Sequence, residues 1–207
     1  QQYKEWSGEK AKLHEFEFGG KEFSMTTAEI MSLYELNKRR QAQLHIYNEK
    51  GEAERKRGIR LPDRDVKGRA GTYKGKTPDP IPLSRAMVKK ITDTLSEQEK
   101  AVADGIANFF QTVTTDWGNE ISMTLYGYKK YNARDYFPIS VDKHQIATTT
   151  DALGRPQTLK NLGFTKSTQK GAYKPIDVED IFEVFSDRTA KMAVYNAYML
   201  PLSDLQK

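Results

Sequence analysis

The sequence predicts a mainly α-helical domain with a small N-terminal β-hairpin and long polar loops. Three observations predict it. Apolar residues recur at three- and four-residue steps in several stretches. Two capping boxes, Thr26 with Glu29 and Ser96 with Glu99, open helices. Residues 13–25, "LHEFEFGGKEFSM", alternate about a Gly-Gly pair. The 207 residues are enough for a real core. An apolar share of 37% against 29% charged residues makes that core modest and the surface polar.

In chain order, the alternating stretch reads as a hairpin. Gly19-Gly20 tolerates the positive φ of a tight turn, and Phe16 and Phe18 share one face. Alone a hairpin is marginal, so it should lie on helices. The helix opened by Thr26 should run to about Asn48, with Ile30, Leu33, Tyr34, Leu44 and Tyr47 inward and Lys38, Arg39 and Gln43 outward. Residues 49–80 hold few apolar anchors (Ile59, Leu61, Val66, Tyr73) and read as a basic, mobile connection with a short extended piece at 58–62.

A short helix follows in 82–95, with Met87, Val88, Ile91 and Leu95 inward. Behind Ser96 a long helix carries Val102, Ile106, Phe109, Phe110, Val113, Trp117 and Ile121 in one broad stripe, which should sit at the centre of the core. It should reach about residue 126, bent at Thr112–Thr115 and Gly118. Residues 140–175 read as an irregular excursion anchored by Ile146, Leu153, Leu162 and Phe164. A last helix should begin at Asp177, since acids favour a helix start, and bury Ile181, Phe182, Phe185, Met192 and Tyr195. The parts form one domain: 1–48 hairpin plus helix, 49–80 connection, 81–207 helical core with the 140–175 loop. The opening Gln and the closing "PLSDLQK" on a helical pattern lead us to expect an excised piece of a larger protein.

No run of 18 apolar residues offers a membrane span, and no basic-then-apolar signal peptide opens the chain. The absence of Cys removes disulfides, thiolate metal sites and Cys nucleophiles, and fits a reducing compartment. The net charge is +5. Residues 49–76 carry ten Lys or Arg against five acids, a surplus equal to that of the whole chain. Such a segment suits an anionic partner.

The three histidines, His14, His45 and His144, show no metal-ligand spacing. "GRAGTYKGK" (68–76) resembles a phosphate loop only superficially, because no strand precedes it and no Gly-Lys-Ser/Thr ends it. "DWGNE" (116–120) is the most enzyme-like cluster: Asp116 and Glu120 lie one helical turn apart and share a face. Paired acids divide acid and base roles when their environments differ, yet acids so placed are more often solvated or salt-bridged. Asn119 and Glu120 can instead tie down the backbone of the following loop.

That loop opens "LYGYKKYNARDYFPI" (125–139), where five Tyr or Phe flank Lys129, Lys130 and Arg134. Rings that stack on bases must be exposed; rings that hold an irregular segment must be buried. Packing is the expectation for Tyr136 and Phe137, and more narrowly for Tyr126, Tyr128 and Tyr131.

Three stretches, "MTTAEIMSLYELNKRRQAQLHIY", "LSEQEKAVADGIANFFQTVTTDWGNEISMTLYGYKKYNARDYFPI" and "GFTKSTQKGAYKPIDVEDIFEVFSDRTAKMAVYNAYMLPLSDL", occur in this order. Together they resemble an internal region of the very large multidomain "polyvalent" proteins of bacteriophages and conjugative elements, chiefly from Firmicutes. The nearest motifs are "MSLY", "WGNE", "YFPI" and "FTKS"; the basic segment 49–76 and much of 140–160 lie outside the resemblance. It implies a phage or mobile-element origin and a place among connecting domains between enzymatic modules; with the absence of Cys, the expected location is cytoplasmic, in the bacterial host or phage-delivered. It assigns no catalytic residue.

The combined expectation is a non-catalytic structural or interaction module of such a protein, with no cofactor, no metal site and no membrane partner, contacting other domains of its parent. Trp117, Asn119, Glu120, Tyr136, Phe137 and Pro138 are then structural. The first alternative is a DNA- or RNA-binding module of weak sequence preference. It would use the basic segment 50–76, with Arg55, Lys56, Arg57 and Arg60, together with Lys129, Lys130 and Arg134. The second is an enzyme domain built on Asp116 and Glu120.

Overall fold

The structure, a computed structural model, describes residues 3–8, 11–48, 57–62, 79–132, 136–139, 148–150, 156–158 and 174–205. It is mainly α-helical. Its elements are α1 (Tyr3–Trp6), β1 (Leu13–Phe18), β2 (Lys21–Thr26), α2 (Thr27–Lys38), α3 (Arg40–Ile46), β3 (Ile59–Arg60), α4 (Arg85–Thr92) and α5 (Glu97–Phe109). A π-helical turn (Phe110–Thr114), α6 (Thr115–Tyr126), β4 (Thr148–Thr150), β5 (Pro156–Thr158), β6 (Ile176–Asp177) and α7 (Ile181–Leu205) complete them.

The hairpin forms as the alternation predicts. Strands β1 and β2 pair antiparallel with Phe16 opposite Phe23, and both turn glycines, Gly19 and Gly20, have positive φ. The two rings lie 5.7 Å apart and pack with Phe18 against the helical core.

Helix α2 is the axis of that core. Thr27 through Leu33 are buried without interruption, and Glu35 and Leu36 follow. A helix buried nearly all round must be surrounded, and α2 touches α1, β2, α3, α4, α5 and α7. The stripe on residues 102–121 does not hold the centre: Phe110 and Ile121 are buried, but Val102, Ile106, Phe109, Val113 and Trp117 are half-exposed. The polar letters of α2 hid its position, because its buried polar groups, Ser32 excepted, are spent locally. Glu29 closes the capping box, its carboxylate accepting from Thr26 N–H at 2.8 Å. The Thr27 hydroxyl meets His14 Nε2 at 3.0 Å, and Glu35 accepts from Lys38.

The expected single helix to Asn48 breaks at Arg39, whose φ and ψ of −91° and 116° are extended. The break resets the helical phase. Ala42, His45 and Ile46 turn inward, and Leu44, expected inside, is exposed. Arg39 is held there by its Nη1 donating to the Phe137 carbonyl at 3.0 Å and by its guanidinium lying over the Tyr136 ring at 5.5 Å. The "YFPI" stretch is therefore core, as expected: Phe137 is 2% exposed and meets Phe110 edge-on at 5.9 Å.

Helix α4 buries Met87, Val88 and Ile91, with Leu95 beyond it, and Ser96–Glu99 caps α5. The bend expected at Thr112–Thr115 is the π-helical turn, which inserts an extra residue into the ladder. Thr114 and Thr115 hydroxyls both donate to the Phe110 carbonyl at the start of this turn.

The extended piece near 58–62 is strand β3, and it pairs in parallel with β6, Ile59 beside Ile176 and Arg60 beside Asp177. Both isoleucines are fully buried, so this part of the connection is anchored. Most of the rest of 49–80, Val66 and Tyr73 included, lies outside the described residues. Asp177 therefore belongs to a strand and does not start the last helix. Asp180 does that work, its Oδ1 accepting from Phe182 N–H at 2.8 Å. Within 140–175, β4 and β5 form a short antiparallel pair, where sequence alone indicated an irregular excursion; the expected anchors there lie outside the described residues.

Phe137→Ala should cost about 3–5 kcal/mol in urea unfolding. Trp117→Ala should cost clearly less, because that ring is half-exposed and touches Phe109 only edge-on at 6.3 Å. Equal costs, or the reverse order, would contradict this placement.

Candidate functional site

The residues of "DWGNE" separate into two roles. Asp116 and Glu120 are exposed on α6, so no burial sets one carboxyl against the other. Asn119 is buried and spends its whole amide on the next loop. Its Nδ2 donates to the Tyr131 carbonyl at 2.8 Å, and its Oδ1 accepts from the Tyr131 N–H at 2.9 Å. Ser122 adds a third tie, its Oγ accepting from Lys130 N–H at 3.3 Å. Gly118 makes room for the same residue: a Cβ there would stand 2.7 Å from Tyr131 Cδ2. Asn119 thus does what the sequence reading allowed it, while the Glu120 carboxylate takes no part in the tie.

These ties hold 127–132 against α6 and present a face of rings. Gly127, in the left-handed conformation, ends α6, and the chain turns back. Tyr131 is half-buried beside Tyr195 of α7; burial first, then this neighbour, hold its phenol above the usual range. Tyr126 and Tyr128, expected to pack, instead stand exposed, Tyr128 by 58%. Their rings are 6.3 Å apart. Lys130 Nζ lies 3.3 Å over the Tyr126 ring, and Lys129 is exposed beside it. Tyr198, one turn beyond Tyr195, is exposed as well. The Tyr126 and Tyr128 rings stay outside because the Asn119 tie fixes the loop through its backbone, and Tyr131 alone of the three tyrosines packs.

Of the other basic candidates, the two that are described, Arg57 and Arg60, do not join this face. Arg60 is largely covered and its Nη1 sits 3.5 Å from Asp177 Oδ1. Arg57 is half-buried beside β3. Arg55, Lys56 and Arg134 lie outside the described residues. Tyr136, Phe137 and Pro138 are packed under Arg39. Of the histidines, His45 Nδ1 donates to the Lys174 carbonyl at 2.7 Å, and burial lowers the pKa of both His14 and His45. His144 lies outside the described residues.

One charged cluster escaped the sequence. Glu35 and Lys38 of α2 meet Asp104 of α5 at a small cleft of about 150 Å³ that Asn108 and Gln111 also line. Lys38 Nζ donates to Glu35 at 2.8 Å and to Asp104, and lies 4.0 Å over the Tyr34 ring. Burial pushes Glu35 up to about 7, because its carboxylate is 4% exposed and shares its one cation with Asp104. Asp104, more open, falls below its usual range once its bonds with Lys38 outweigh its burial. The i, i+3 spacing of Glu35 and Lys38 was visible; that α5 would bring Asp104 onto them was not.

Among the described residues no helix is long and apolar enough to cross a membrane, and no group of three or more His, Asp or Glu is placed to hold a metal ion. The chain matches no protein-family model, no curated protein and no solved structure.

Two expectations follow from this geometry. Asn119→Ala should lower stability and release the loop, seen as loss of hydrogen-exchange protection at the Tyr131 amide; unchanged protection would contradict the tie. For Glu35, the folded pKa near 7 exceeds the unfolded value of 4.5. The native state therefore holds this proton more tightly, and the group's contribution falls as pH rises between those values. His14 and His45 act in the opposite sense, so the comparison must be internal. The Tm of Glu35→Gln minus that of the wild type should grow from about pH 5 to about pH 7.5. A difference independent of pH would contradict it.

Proposed function

We propose that this domain is a non-catalytic interaction module of a larger phage or mobile-element protein, and that it contacts single-stranded nucleic acid through the tyrosine–lysine face on α6 and the 127–131 loop. The observation that carries this reading is the exposure of Tyr126 and Tyr128 beside Lys129 on a loop pinned by Asn119. Exposed rings offer stacking surfaces to any base, and flanking cations meet phosphates. A loop already fixed loses little freedom on binding. The basic surplus of 49–76 adds long-range attraction without adding sequence preference. The resemblance to polyvalent proteins supports a connecting domain, and that resemblance together with the absence of Cys supports a cytoplasmic location, in the bacterial host or phage-delivered.

The test is fluorescence anisotropy with single- and double-stranded DNA at roughly 50 and 200 mM salt, a range over which multi-phosphate binding loses orders of magnitude. The expected result is salt-sensitive binding that prefers the single strand. Tyr128→Ala should weaken it by about tenfold, near the low end of one lost stack, and Lys129→Glu/Lys130→Glu should weaken it further. Equal binding by wild type and variants would overturn this site. No binding at the lower salt would overturn the nucleic-acid reading and leave the face, with Met123 and Val194 exposed nearby, to a protein partner.

A further inference from the structure

A cleft of about 210 Å³ lies between α2, the 137–138 stretch, the end of β6 and α7. Leu36, Phe137, Pro138 and Val184 give it an apolar floor. Its polar wall comes from Ser32 of α2, from Asp177 and Glu179, and from Asp187, Arg188 and Lys191 on consecutive turns of α7. Three of these charges are engaged: Lys191 Nζ is 2.6 Å from Asp187, and Asp177 faces Arg60 from outside the cleft.

Two groups on the same wall are not. Ser32 is 1% exposed, and its hydroxyl has no hydrogen-bond partner among the described residues. A hydroxyl within a helix commonly returns its proton to a carbonyl one turn back, as Thr92 does to Val88 at 3.0 Å. Ser32 makes no such bond, so a desolvated donor stands at the cleft. Arg188 is half-buried and has no ion pair or hydrogen bond among the described residues.

We propose that this cleft binds a small zwitterion with an apolar tail, such as a free aliphatic α-amino acid. A guanidinium fork and a hydroxyl donor together suit a planar carboxylate. The acids Glu179 and Asp187 on the same wall disfavour a phosphate, which carries more negative charge, and favour a ligand whose ammonium turns toward them. The apolar floor takes the aliphatic side chain. The volume suits this class, since it lies below the roughly 300–1,000 Å³ of sites for larger ligands. The cleft involves none of the residues of the tyrosine–lysine face, so the two sites stand or fall separately.

The test is an NMR titration of the folded domain with L-leucine. Two analogues run beside it: 4-methylpentanoate, which lacks the ammonium, and isoamylamine, which lacks the carboxylate. L-Leucine should give saturable shifts at the amides of Ser32, Val184 and Arg188, and both analogues should bind more weakly. Arg188→Gln and Ser32→Ala should each weaken binding by about tenfold, the scale of one lost bond to a charged group. Ser32→Ala should leave Tm unchanged or raise it, because the hydroxyl it removes supports nothing in the fold. No saturable shift, equal affinity in both variants, or an analogue binding as tightly as L-leucine would overturn the proposal.

Discussion

The burial of α2 on nearly every side is the constraint on which the rest depends. A helix so enclosed needs neighbours around its whole circumference, and the hairpin, α3, α4, α5 and α7 are arranged to supply them. It also forces every polar group on α2 to find a local partner, since a buried group without one costs about 1–3 kcal/mol. Glu29 closes a cap, Thr27 meets His14, and Glu35 shares Lys38 with Asp104. Ser32 alone among them is left over, and it is left over at a cleft.

From the end of α2 the constraint passes outward. Arg39 breaks the helix and grips the Phe137 carbonyl, so the chain after α6 is fastened at one end to the core. Asn119 fastens the other end through the Tyr131 backbone. The side chains of 126–130 precede both clamps and are not needed to hold the fold, because the backbone behind them is already tied to α6. Rings and lysines exposed on a fixed backbone are available for a partner, and their availability follows from two amide and guanidinium contacts made by residues that touch no partner themselves.

Much of the fold was legible in the sequence for physical reasons. The Gly-Gly turn, both capping boxes, the inward face of α4 and the distortion at Thr112–Thr115 are local, and local rules predicted them. The centre of the core was not legible, because hydrophobic periodicity counts polar letters as surface, and α2 buries Thr27, Glu29, Ser32 and Glu35. Leu44 was misplaced because no sequence signal marks the reset at Arg39; its cause is a carbonyl 98 positions away in the chain. Asp177 looked like a helix start until β3 supplied a strand for it to pair with. At the candidate site, Asn119 was readable as a loop tie. The exposure of Tyr126 and Tyr128 was not, since it depends on that tie replacing the rings as the anchor.

Native-state hydrogen exchange across α2 and α5 tests the central claim most directly. The amides of residues 30–36 should exchange only through global unfolding, while those of α5, with only Ala103 and Ala107 fully buried, should open at lower free energy. If the amides of α5 prove the slower set, and α2 opens below the global free energy, then α2 is not the axis of this fold and the account built on it is wrong.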